Sequence, residues 1–171
     1  MDLWKVAGLR HAAQRLEDPG NPHLARLRDL WEDRRTGRAL PDRSDFDLPF
    51  DVRPWMRNLM ILDVVRDPLD FRARLVGEEV ERIEQRRYVG KPLAEAGYGP
   101  LEPAIRAACE VAATGQRVSM LYTVTIFGLL AKKVEVLYLP LSKGAACAEL
   151  ILCGIMEVRG GADRAPPETG G

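Results

Sequence analysis

Three runs of alternating residues close this chain, and they restrict it to folds built around an antiparallel sheet. From 117 to 126, Val118, Met120, Tyr122, Val124 and Ile126 alternate with Ser119, Thr123 and Thr125. From 131 to 141, Val134, Val136, Tyr138 and Pro140 share one parity, while Leu137, Leu139 and Leu141 take the other. From 148 to 158, Leu150, Leu152 and Met156 oppose Ile151, Cys153 and Ile155. Period two is the signature of a strand, because successive side chains leave opposite faces. Phe127-Gly128 and Lys143-Gly144 supply the intervening turns. The same alternation appears over 70–76, where Phe71, Ala73 and Leu75 are interleaved with Arg72 and Arg74. Leu59–Val65 is a continuous apolar run of strand length, joined to it by the turn Asp67-Pro68-Leu69-Asp70.

Helical spacing occupies the rest. Leu3, Val6, Leu9, Ala13 and Leu16 predict a first amphipathic helix over 2–17, broken by Asp18-Pro19-Gly20-Asn21-Pro22. Leu24, Leu27, Leu30 and Trp31 predict a second from His23 to Arg35, ended by Thr36-Gly37. Pro41 to Asp47 is turn-rich, and Asp51 to Met56 holds one helical turn. Glu78 to Arg87 reads as a short surface helix with Val80 and Ile83 at i,i+3, and Pro92–Glu95 as one further turn. Pro100 to Thr114 is the clearest helix, with Leu101, Ile105, Ala108 and Ala112 on one face and Gly115 as its cap. The expected organisation is an N-terminal helical extension over 1–56, a core over 57–158 and a disordered tail over 159–171.

Composition narrows the class of partner. The 25 Lys and Arg balance 25 Asp and Glu, so no cationic excess is available to neutralise nucleic-acid phosphates. Three cysteines without a CxxC pair argue against a disulfide framework or a zinc site. No signal-peptide pattern opens the chain, and no apolar run approaches the ~20 residues of a membrane span. The expectation is a soluble, reduced, cytoplasmic protein with neither a nucleic-acid nor a membrane partner.

The last two strands are apolar on both parities, whereas a sheet with one wet face alternates cleanly. Leu137, Leu139, Ile151, Cys153 and Ile155 therefore need a cover. Two are available: the N-terminal helices, through Leu3, Val6, Leu9, Leu27 and Trp31, or a second copy of the chain. Those residues, with Leu137, Leu139, Ile151 and Ile155, are the candidates for a dimer or partner interface.

The order strand, strand, short helices, longer helix, three strands resembles a PAS domain. The resemblance rests on several segments in sequence. They are Leu27-Arg28-Asp29-Leu30-Trp31, Leu40–Asp47, Met60–Val64, Phe71–Gly77, Gly90-Lys91-Pro92-Leu93 and Leu139-Pro140-Leu141-Ser142. Over about residues 24 to 158 the chain is similar to a bacterial PAS family, widespread in alphaproteobacteria, whose members are commonly small stand-alone proteins. The resemblance implies an α+β fold with a five-stranded antiparallel sheet, helices across one face, and a pocket. It further implies a module that senses a small ligand or redox state, forms homodimers, and relays to histidine kinases or other signalling proteins. It carries no catalytic motif. Where the family has a charged turn containing Arg and Gly, this chain has the apolar, shorter Phe127-Gly128-Leu129-Leu130, suited to partner docking or to packing on an N-terminal helix.

Candidate chemistry is sparse. Met120, Tyr122, Tyr138, Met156 and Cys109 are the pocket candidates, offering apolar walls and two hydroxyls; the bland alternative is a filled core with satisfied hydroxyls. The histidines, His11 and His23, fall outside the core elements, which disfavours haem. No cysteine lies on the short helix before Pro100, which disfavours a photoreactive flavin. Cys153 reads as buried and inert, and Cys147 as the better redox candidate. Arg72, Arg74, Glu84, Arg86 and Arg87 read as solvated, and Asp63, Glu135, Glu149 and Glu157 as outward. No nucleophile–base pair is visible, so a curved-sheet isomerase or dehydratase ranks last. A constitutive dimerisation scaffold with a filled core ranks between it and a non-catalytic sensory module.

Overall fold

The structure, a computed structural model, describes residues 9–47 and 50–159. Its strands are β1 (Leu9–Leu16), β2 (Leu59–Val65), β3 (Asp70–Val76), β4 (Val118–Ile126), β5 (Leu129–Leu141) and β6 (Leu150–Glu157). They form one six-stranded sheet in the order β1-β4-β5-β6-β2-β3, antiparallel at every pairing. The helices are α1 (Pro22–Arg35), α2 (Glu78–Glu84) and α3 (Glu102–Ala113).

The expected helix over 2–17 is not found in its described part. Leu9–Leu16 is instead an edge strand, with Leu9 opposite Ile126 and Leu16 opposite Ser119. Pairing with β4, more than a hundred residues away, overrides a helical spacing that is a weak prior in any sequence. Leu3 and Val6 lie outside the described residues, as does the expected tail beyond 159. The sheet therefore has six strands rather than five.

Helices cover both faces. On one, α2 and α3 pack over Val136, Tyr138, Ile151, Cys153 and Ile155. On the other, α1 and the segment that follows it bury Leu137, Leu139, Leu150 and Leu152. The need for a cover, raised by the double-sided apolar strands, is met within the chain. Leu27, Trp31, Leu137 and Leu139 are core residues beneath α1, and Ile151 and Ile155 are core residues of the opposite face. None of these six is free to form an interface.

Helix α1 is fixed at both ends. Asn21 caps it, its side chain accepting from His23 N at 2.9 Å and Leu24 N at 3.3 Å. Glu135, read as outward, is buried; its carboxylate accepts from Gly20 N at 2.7 Å and Asn21 N at 3.1 Å. A negative group at a helix N-terminus satisfies orphan amides and complements the dipole. Further along, the Trp31 indole donates to Pro140 O at 2.8 Å, and the Trp55 indole donates to His23 O at 2.8 Å. Gly154 makes the contact possible: a Cβ there would lie 2.7 Å from Leu24 Cδ2 and 2.8 Å from Leu27 Cδ2. The loop after α1 is tied to the β5–β6 connection by Asp42. Its carboxylate accepts from Ser44 N at 2.9 Å, Ser142 Oγ at 3.0 Å and Gly144 N at 2.6 Å. Those bonds, Ser44 foremost, hold its pKa far below the usual carboxylate range.

Candidate functional site

The site lies where α2, the turns after it and α3 meet the sheet. Along α2, Val80 and Ile83 are buried and anchor it. Glu84 is four residues after Val80, so helical geometry carries it to the same inward face. Gln85 then adopts a left-handed conformation (φ 55°) that ends the helix and turns the chain back. Cations meet the exposed carbonyls at this end: Arg86 Nε donates to Glu84 O at 3.1 Å, and Lys132 Nζ from β5 donates to Ile83 O. Both complement the negative end of the helix.

Beneath that end the Glu84 carboxyl is enclosed. Tyr88 donates to it at 2.5 Å and Tyr98 at 3.1 Å, and the two phenol oxygens are 2.8 Å apart. The Arg86 guanidinium stands 5.3 Å from the Tyr98 ring centroid and donates to Ala96 O at 2.8 Å. Burial raises the Glu84 pKa against the opposing tyrosine bonds and the charges of Arg86 and Lys132. Burial also drives both phenols well above their ordinary value. Glu84, Tyr98, Tyr122 and Lys132 border a cavity of about 40 Å³ whose other walls include Ile105 and Val134. That is room for about three or four waters, at about 10–15 Å³ of accessible space for each.

The expected pocket residues divide. Tyr122 borders the cavity, and its hydroxyl lies 2.8 Å from that of Tyr138. Met120, Tyr138 and Cys109 belong to the surrounding core. Burial pushes the Cys109 thiol up to about 12, and the Cys153 thiol rises for the same reason; neither has thiolate character at neutral pH. Met156 is a correction, since it packs on the opposite face beside the α1 cluster. Glu84 is another: the sequence reading leaves it in solvent, although Val80, Ile83 and Glu84 already stand at i, i+3 and i+4. His11 also departs from expectation. It sits on β1 opposite Val124, a cavity-wall residue, and burial lowers its pKa. Arg74 is paired with Asp63 at 2.8 Å across β2 and β3. Among the described residues no group of three or more His, Cys, Asp or Glu is placed to hold a metal ion.

The raised Glu84 pKa fixes the sign of its contribution to stability. The fold favours the protonated acid, so this contribution is greatest below the unfolded-state value and declines as pH rises through the folded one. Asp42 acts oppositely, stabilising above the ordinary carboxylate pKa and failing as pH falls. Glu84→Gln is therefore expected to raise the melting temperature above pH 6 more than at pH 4, in melts followed by circular dichroism across that range. An equal shift at both values would contradict the burial of an ionisable carboxyl.

A sheet overlaid by short helices, with a small, mainly apolar pocket between them, defines an α+β module built around an internal site. A PAS domain family model matches residues 20–157, from the entry of α1 to the end of β6. The chain belongs to the PAS domain family, whose members are generally sensory or regulatory modules rather than catalysts. No curated protein matches the chain, and no solved structure does.

Proposed function

We propose that this chain is a non-catalytic PAS-type regulatory module that takes a small ligand in the Glu84–Tyr98–Tyr122 cavity and signals through protein–protein contacts. The observation that carries this reading is the cavity itself: apolar walls with a few convergent polar groups, the usual composition of a ligand site. Its chemistry favours binding over turnover. Glu84 already accepts two phenol hydrogen bonds, and the nearest cation donates to a backbone carbonyl. A ligand that fits without rearrangement has only a few heavy atoms, since sites for larger molecules run to about 300–1,000 Å³.

Relay follows from the position of the site. The end of α2 is held by Glu84, Arg86 and Lys132, so occupancy that displaces the phenols or the lysine shifts α2 relative to the sheet. A partner bound to that surface, a histidine kinase or another signalling protein, or a second copy of the chain, would read the shift. The second reading, a constitutive scaffold with an essentially filled core, is favoured by the small volume. Intact mass and absorption of the protein, purified from its own host without denaturation, separate the two. A co-purifying molecule supports the sensor, and the bare chain mass supports the scaffold.

A further inference from the structure

The β4–β5 hairpin ends in an apolar tip that nothing among the described residues covers. Phe127 is 74% exposed, Leu129 76% and Leu130 60%. The turn is tight: Phe127 (φ 49°) and Gly128 (φ 80°) are both left-handed, the geometry that suits a two-residue hairpin, and Ile126 pairs with Leu129 directly across it. Helix α1 begins at the level of Glu135 and runs toward Pro140, away from the tip, so it leaves the sheet face between Lys133 and the turn uncovered. That face is cationic. Arg10, Thr125 and Leu130 stand in one cross-strand row, and Lys133 follows two positions further along the same face. Neither Arg10 nor Lys133 has an ion-pair partner among the described residues.

We propose that this hairpin tip docks on an anionic lipid surface, Phe127, Leu129 and Leu130 entering the interface while Arg10 and Lys133 meet the headgroups. Charge complementarity selects this occupant. Apolar groups flanked by cations are the pattern that holds a peripheral protein at an acidic bilayer. A second copy fits less well. An isologous contact centred on the tip would set each cation against its own copy. The three side chains also offer on the order of 400 Å², about half of what each partner buries in a stable complex. Peripheral docking needs no spanning element, and no helix among the described residues is long and apolar enough to cross a membrane. The proposal is independent of the cavity.

The test uses the full chain and two sets of vesicles, phosphatidylcholine alone and phosphatidylcholine with about a third phosphatidylglycerol. The wild-type protein is expected to sediment with the anionic set only, and to be released as salt screens the cations. Leu129→Ser combined with Leu130→Ser should weaken that binding at least about tenfold, with an unchanged melting curve because both positions are exposed. Phe127→Trp, which keeps an aromatic at the turn, should give a blue-shifted emission on anionic vesicles alone. Failure to bind, or equal binding by the double variant, overturns the proposal. So does a wild-type dimer that the double variant splits, which would make the tip a protein interface.

Discussion

Trp31→Ala is expected to lower the unfolding free energy by about 3–5 kcal/mol, the usual cost of emptying a large aromatic site. Two effects combine. The indole is 2% exposed within the cluster that joins α1 to β5 and β6, so its loss leaves a cavity that rigid strands cannot close. The Pro140 carbonyl on β5 also loses its indole donor, and an unmet buried acceptor costs about 1–3 kcal/mol. Domains of this kind are stable by only about 5–15 kcal/mol. The variant should therefore begin to unfold at much lower urea, with the midpoint read by circular dichroism. Trp31→Phe, which keeps most of the volume and loses only the donor, should recover more than half of the difference. A midpoint for Trp31→Ala close to wild type would mean that α1 contributes little to the fold.

Glu135→Ala should follow at about 2–4 kcal/mol. The carboxylate is buried on β5 and holds the amides of Gly20 and Asn21 at the start of α1. Its removal strands two donors and loosens the end of the helix opposite Trp31. Glu135→Gln keeps one acceptor oxygen without the charge, and should lose roughly half as much. Amide hydrogen exchange gives the sharper reading. Protection is expected to fall over residues 20–27 in Glu135→Ala while β2, β3 and α3 are unaffected. Uniform loss across the sheet would show that the contact is not a local pin on α1. Because Trp31 and Glu135 anchor the same helix, their double variant should cost less than the sum of the two.

The strands that pair with near neighbours were legible in the sequence, since each carries its own pattern. Phe71 and Ala73 are buried and Arg72 and Arg74 exposed along β3, as alternation requires, while Leu75, read with the inner set, is exposed beyond the register shift opposite Ile61 and Leu62. The two parities of β5 and β6 correspond to the two covered faces. β1 was not legible. Ala12, Ala13, Gln14 and Arg15 are all exposed on this edge strand, so burial imposes no period on them, and the partner that makes the segment a strand lies far away in sequence. The two inward acids, Glu135 buried and Glu84 half-buried, were missed for a different reason. Glu135 lies inside because a helix start was brought over it, and Glu84 because two tyrosines from later turns close on it. The residues beside Glu135 carry no sign of this, whereas the i, i+3, i+4 spacing of Val80, Ile83 and Glu84 already turns Glu84 inward. The Asp42 tie shows the same limit, because Leu40–Asp47 and Leu139–Ser142 can each be read as motifs, while the carboxylate that joins them across a hundred residues cannot.

The central claim is that the cavity behind α2 binds a ligand, and native mass spectrometry of two proteins from the same host tests it most directly. Wild type should carry a surplus mass that disappears on denaturation, and Val134→Phe, which fills the cavity from its half-buried β5 wall, should carry none while remaining folded. A wild-type protein with only the mass of its polypeptide, or a surplus retained by Val134→Phe, would contradict the account.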